Sequence, residues 1–110
     1  MYKFRFLIVI SCLVALAATG CFRQDHRTIT ISVPQLKSPE CYAILQETLK
    51  SAQDIESTRP NYDERTLDVS YNALKLGIKN IEFVISNAGF SANDTEAAPE
   101  ARAKLPEGCR

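Results

Sequence analysis

Apolar positions along the chain switch between two periods. Thr28-Ile29-Thr30-Ile31-Ser32-Val33 alternates strictly, which predicts a half-buried strand with Ile29, Ile31 and Val33 on one side. Pro34 ends it. Cys41, Ile44, Leu45, Leu49 and Ala52 then recur at helical spacing and predict a helix with one apolar face. Ser38 suits its N-cap and Pro39 its first turn, where a missing N–H loses no partner. Glu40 adds favourable negative charge beside the helix start. Ile55 to Arg59 is a weaker strand, followed by a turn region at Pro60-Asn61 and Asp63-Glu64. Leu67, Val69 and Tyr71 alternate through a second clear strand. Asn72 is expected to cap a second helix, with Leu74, Ile78, Ile81, Ile85 and Ala88 as its stripe and Phe83 and Val84 widening it. Gly77 inside that helix would cost about 1 kcal/mol relative to Ala. Gly89 fits the left-handed residue that follows a helix, with Phe90 folding back onto the last turn.

The order strand, helix, strand, strand, helix predicts an α+β fold: a ferredoxin-like βαββαβ sandwich with both helices on one face of a small antiparallel sheet. The final strand is expected to be short, near Phe90 to Asp94, or absent. Residues 93–110 read as a C-terminal tail with a short helix at Pro99 to Leu105, started by Pro99 and stopped by Pro106. A loose tail fits the same residues, because apolar anchors are sparse there.

The N-terminus changes the picture of where this domain works. Lys3 and Arg5 precede an apolar run from Phe6 to Ala18, then Ala18-Thr19-Gly20 and Cys21. The run is too short for a spanning helix, which needs about 20 apolar residues, and has the form of a cleaved secretory signal. Small residues directly before a cysteine resemble a bacterial lipoprotein cleavage box, although Ala18 stands where Leu is commoner. The resemblance implies a signal peptide over 1–20, lipid on Cys21, a tether over 21–27 and a domain over 28–92. The protein is then expected at the cell envelope, anchored to the membrane by its N-terminal lipid. His26, the single histidine, is placed in the tether as a solvated residue.

Removal of Lys3 and Arg5 leaves 11 basic residues against 13 acidic ones, a net charge of −2. That balance argues against nucleic acid as a partner. No Gly-rich phosphate loop is present, and with His26 in a tether no cysteine–histidine catalytic pair forms, so no enzyme is expected. Structural zinc wants four Cys or His ligands. Of the four cysteines, Cys12 leaves with the signal and Cys21 takes lipid, so Cys41 and Cys109 remain. In an oxidising compartment they are a disulfide, a shared metal site or two unrelated thiols.

A cysteine opening the first helix of this plan resembles the heavy-metal-associated domain of periplasmic mercury-binding proteins, copper chaperones and metal-transporting ATPases. The resemblance covers about Thr28 to Ala92. It rests on "ITISVPQLKSPEC" against the family's strand and Gly-Met-Thr-Cys-x-x-Cys loop. It rests also on "IESTRPNYDERTLDVSYN" against its central hairpin, and on "IEFVISNAGFSA" against its second-helix ending. Carried across, Cys41 falls on the second cysteine of the metal loop, Ser38 on the first, Leu36 on the Met and Gln35 on the Gly. The family holds soft ions such as Cu(I) or Hg(II) between two thiolates, and this loop offers one. In the family plan, counting lengths through a final strand and a short helix brings Cys109 back beside Cys41.

The resemblance then implies a soft-metal carrier or scavenger, expected to be a monomer, with Cys41 and Cys109 as ligands, copper or mercury as cargo and a metal donor or acceptor protein as partner. The competing reading is a structural or interaction lipoprotein of the same fold with a Cys41–Cys109 disulfide. A thiol-redox protein fits less well, because the Cys-x-x-Cys spacing of such enzymes is absent.

Overall fold

The computed structural model describes residues 25–110. The signal segment over 1–20 and the lipidation position Cys21 lie outside the described residues. Three strands, β1 (His26–Ser32), β2 (Ile55–Asn61) and β3 (Thr66–Asn72), form an antiparallel sheet in the order β1-β3-β2. Helix α1 (Pro39–Lys50) joins β1 to β2, and α2 (Ile78–Asn87) follows β3. A short α3 (Pro99–Ala103) and a 3-10 turn (Glu107–Cys109) complete the chain.

Side-chain alternation gives the sheet two faces. Ile31, Leu67 and Val69 are fully buried and Tyr71 nearly so, beneath Leu45 and Leu49 of α1 and Ile81 and Ile85 of α2. The opposite face is polar: Thr28 meets the Ser70 hydroxyl at 2.9 Å, and the Thr30 hydroxyl donates to Asp68 at 2.7 Å. One apolar face and one polar face is what a sheet covered on a single side requires.

The first helix forms where the sequence places it. Ser38 is the extended N-cap, and its Oγ accepts from the Cys41 N–H at 3.4 Å. The second helix differs at its start. Asn72 accepts the Leu74 N–H instead, making a local turn, and the helix begins six residues later, with Gly77 at the N-cap and the Asn80 side chain accepting its N–H at 3.1 Å. Gly77 therefore sits where glycine is tolerated rather than inside the helix. Leu74, Ile78 and Phe83, expected on the apolar stripe, are exposed. The helix ends as expected: Gly89 has φ 98°, its N–H reaches the Ser86 carbonyl, and the Phe90 N–H reaches that of Ile85. That is a Schellman closure with Phe90 fully buried behind it.

His26 requires a correction: it is the first residue of β1, paired with Asn72 and in contact with Glu56, rather than part of a tether. Tethers are polar, and so is an exposed strand end, so composition alone did not separate the two. No fourth strand forms among the described residues; Ala92 and Thr95 make an isolated bridge. One residue stands in for it at the β1 edge. The Asn93 N–H donates to the Ser32 carbonyl at 2.9 Å, and the Ser32 N–H donates to Asn93 Oδ1 at 2.9 Å.

Candidate functional site

The site lies at the start of α1. Between β1 and that helix the chain makes a tight turn in which the Leu36 N–H bonds to the Val33 carbonyl and the Lys37 N–H to that of Gln35. Leu36 is fully buried and anchors the turn from below. Ser38 then fixes the helix start, so Cys41 emerges in the first turn, where unpaired N–H groups and the helix dipole favour negative charge.

The second cysteine arrives from the C-terminus. After Gly89 the chain crosses the end of β1, and α3 passes back over the end of α2. This crossing is close: a Cβ on Gly89 would lie 2.9 Å from the Ala101 carbonyl oxygen. Leu105, 5% exposed, plugs the return, and the Arg110 guanidinium donates to the Leu105 and Ala103 carbonyls. Cys109 thereby reaches Cys41, 68 positions away, and the two form a disulfide with a Cα separation of 5.5 Å. Of the three arrangements open in the sequence, the structure holds the disulfide. The tail is ordered, with its helix at Pro99–Ala103, shorter than expected.

Both sulfurs are shut from solvent, Cys41 at 0% and Cys109 at 3% exposure. Ser38 Oγ lies 3.3 Å from Cys41 Sγ and the Gly108 carbonyl oxygen 3.6 Å from it. Two sulfurs beside a hydroxyl and a carbonyl suit a soft ion better than a hard one, provided that the sulfurs are thiolates. In the disulfide they are not. Among the described residues no group of three or more His, Cys, Asp or Glu is placed to hold a metal ion, and His26 is on β1 and outside this site. No helix among the described residues is long and apolar enough to cross a membrane.

Sequence reasoning found both cysteines and Ser38 but missed the residues that bring them together. Gln35, Glu82 and Ser86 are the buried polar side chains among the described residues. Burial of Glu82 opposes its charge, but hydrogen bonds from Lys79, Thr95 and Asn93 and the Lys79 charge outweigh this and lower its pKa from the ordinary 4.5. A glutamate inside an apolar helical stripe was the available signal. The partners of all three lie in residues whose conformation the pattern did not define.

No protein-family model matches the sequence, and no curated protein matches it. Solved structures do match the fold. Oxidized MerP from Ralstonia metallidurans CH34 is 16% identical with a TM-score of 0.58, over 63% of this chain and 96% of that one. A CopZ metallochaperone is 15% identical with a TM-score of 0.56, over 60% and 98%. A putative copper-ion-binding protein from Bacillus anthracis str. Ames is 18% identical with a TM-score of 0.58, over 64% and 100%. These likenesses establish the α+β fold. This chain has the architecture of those small domains, continued by a C-terminal segment that carries Cys109.

Proposed function

We propose that this protein is a soft-metal carrier or scavenger whose ligand pair is Cys41 and Cys109, working as a monomer at the cell envelope with Cys21 lipidated. The observation that carries the reading is the delivery of Cys109 to Cys41 at the start of α1, with Cα atoms 5.5 Å apart. Ser38 occupies the position of the first cysteine in the loop this sequence resembles, and Cys109 supplies the missing sulfur from elsewhere in the chain. Fold neighbours named as a metallochaperone and a putative copper-ion-binding protein support a role in holding and passing on metal rather than in catalysis. An exported compartment suits a chain that carries a disulfide.

Metal capture in this reading follows reduction. An external dithiol reductant supplies two electrons and two protons, opening Cys41–Cys109 to two thiols and itself closing to a disulfide. A Cu(I)- or Hg(II)-class ion then displaces the protons of both thiols to solvent. A metal donor or acceptor protein would exchange the ion at this exposed end of α1 once the Cys109 segment lifts.

A second reading is a structural or interaction lipoprotein in which the disulfide stays closed, and the complete burial of Cys41 favours it. One titration separates the two. The full chain with Cys12→Ser and Cys21→Ser is reduced and titrated anaerobically with Cu(I) against a colorimetric chelator. The carrier reading expects one ion per chain, with binding lost or at least tenfold weaker in Cys41→Ser and in Cys109→Ser. No uptake by the reduced chain would leave the structural reading in its place.

A further inference from the structure

The three buried polar side chains share one target. Gln35 Nε2 donates to Ser91 Oγ at 3.1 Å, and Gln35 Oε1 accepts the Ser91 N–H at 2.9 Å. Glu82 accepts from the Thr95 hydroxyl at 3.0 Å and from Asn93 Nδ2 at 3.5 Å. The Ser86 hydroxyl donates to the Glu96 carbonyl at 2.7 Å, while the Ser86 carbonyl accepts the Ala98 N–H at 3.0 Å. All three thus fasten residues 91–98, between the end of α2 and the start of α3. Polar groups are buried at a cost unless they are hydrogen-bonded. This domain spends its buried polarity on the segment that leads to Cys109.

Beyond Ala98 the attachment is different in kind. Residues 99–110 are held to the domain by the buried Leu105, the close pass of α3 over Gly89 and the disulfide itself. Opening the disulfide removes the covalent hold on this distal part and leaves the hydrogen bonds on 91–98 in place. Cys109 would then swing on an arm of about eleven residues whose root stays fixed.

We propose that Gln35, Glu82 and Ser86 are positioning residues for the second sulfur: they root the C-terminal arm so that Cys109 stays at high effective concentration near Cys41 after reduction. This rests on the reading of Cys41 and Cys109 as a working dithiol. The benefit is entropic, since an intramolecular encounter of two thiols depends on how tightly the connecting chain confines them. A free tail would present the same thiol far more dilutely.

The test measures thiol–disulfide equilibrium without any metal, so its failure is distinguishable from failure of metal binding. The full chain with Cys12→Ser and Cys21→Ser is equilibrated with mixtures of reduced and oxidised glutathione. The two protein thiols pass two electrons and two protons to glutathione disulfide, giving the Cys41–Cys109 bond and two glutathione thiols. The fraction oxidised yields the effective concentration of the pair. Ser86→Ala and Gln35→Ala should each lower it severalfold, up to about fivefold, and Glu82→Ala up to about tenfold. The energy of the lost hydrogen bonds is the ceiling, because they hold the root in both redox states and their loss counts only as the reduced arm detaches. Glu82→Gln keeps an acceptor for Thr95 and should stay close to the parent. Val69→Ala, in the sheet away from the arm, should lower Tm without moving the equilibrium. Values for Ser86→Ala, Gln35→Ala and Glu82→Ala within about twofold of the parent would overturn the proposal, as would a shift as large in Val69→Ala.

Discussion

Two single residues decide how the C-terminal segment can lie, and each makes a prediction. Gly89 has φ 98° and no room for a side chain, because a Cβ would meet the Ala101 carbonyl at 2.9 Å. Gly89→Ala should therefore cost about 2 kcal/mol or more, the sum of a left-handed backbone penalty and a displaced α3, read from urea unfolding. Glu82 carries charge inside the fold, and Lys79, Asn93 and Thr95 hold its pKa below the ordinary 4.5. A carboxyl whose pKa is depressed by folding contributes stability that is present above its unfolded value and lost as the pH falls through the folded one. Glu82→Gln should thus melt below the parent at pH 7, and the gap should close as the pH falls below about 4.5. Thermal melts at several pH values check this, and a gap independent of pH would show that the carboxylate charge adds nothing.

The elements show what sequence pattern can and cannot carry. β1, α1 and β3 were legible because alternation or helical spacing, a cap and a proline agreed at each. α2 was legible in its second half, where Ile81, Ile85, Gly89 and Phe90 determine both face and ending. Its start was not: Asn72 can cap a helix or close a local turn, and only tertiary contact decides. The fourth strand vanished into a single residue, Asn93, whose side chain and N–H satisfy Ser32. No periodicity announces one residue. In the site, Cys41 and Ser38 were readable from the cap, while the arm that delivers Cys109 depends on buried polar contacts, which leave no periodic trace. The loop itself gives a prediction at this scale. Ser38 Oγ lies 3.3 Å from Cys41 Sγ, so Ser38→Cys combined with Cys109→Ser should restore two sulfurs within the loop. Cu(I) uptake by that double variant should match the parent, whereas Cys109→Ser alone should bind at least tenfold more weakly.

Taken together, the described residues form a small domain closed by a long covalent loop. A chain of this size has little core to spare, and a disulfide closing a loop of 68 positions contributes about 4 kcal/mol in the chain-entropy account. Reduction should lower the urea midpoint by a corresponding amount while the sheet and helices persist in circular dichroism. Unfolding on reduction would mean that the disulfide is a condition of the fold rather than a state of the site. The proposed lipidation of Cys21 adds a further expectation: radiolabelled palmitate should enter the parent chain and be absent from Cys21→Ala.

The central claim is that Cys109 replaces the thiol that Ser38 does not provide. X-ray absorption at the copper edge, on the reduced full chain with Cys12→Ser and Cys21→Ser and loaded with one equivalent of Cu(I), tests it most directly. Two sulfur ligands are expected, falling to one in Cys109→Ser. A sulfur count unchanged by Cys109→Ser, or no copper retained by the reduced parent, would contradict it.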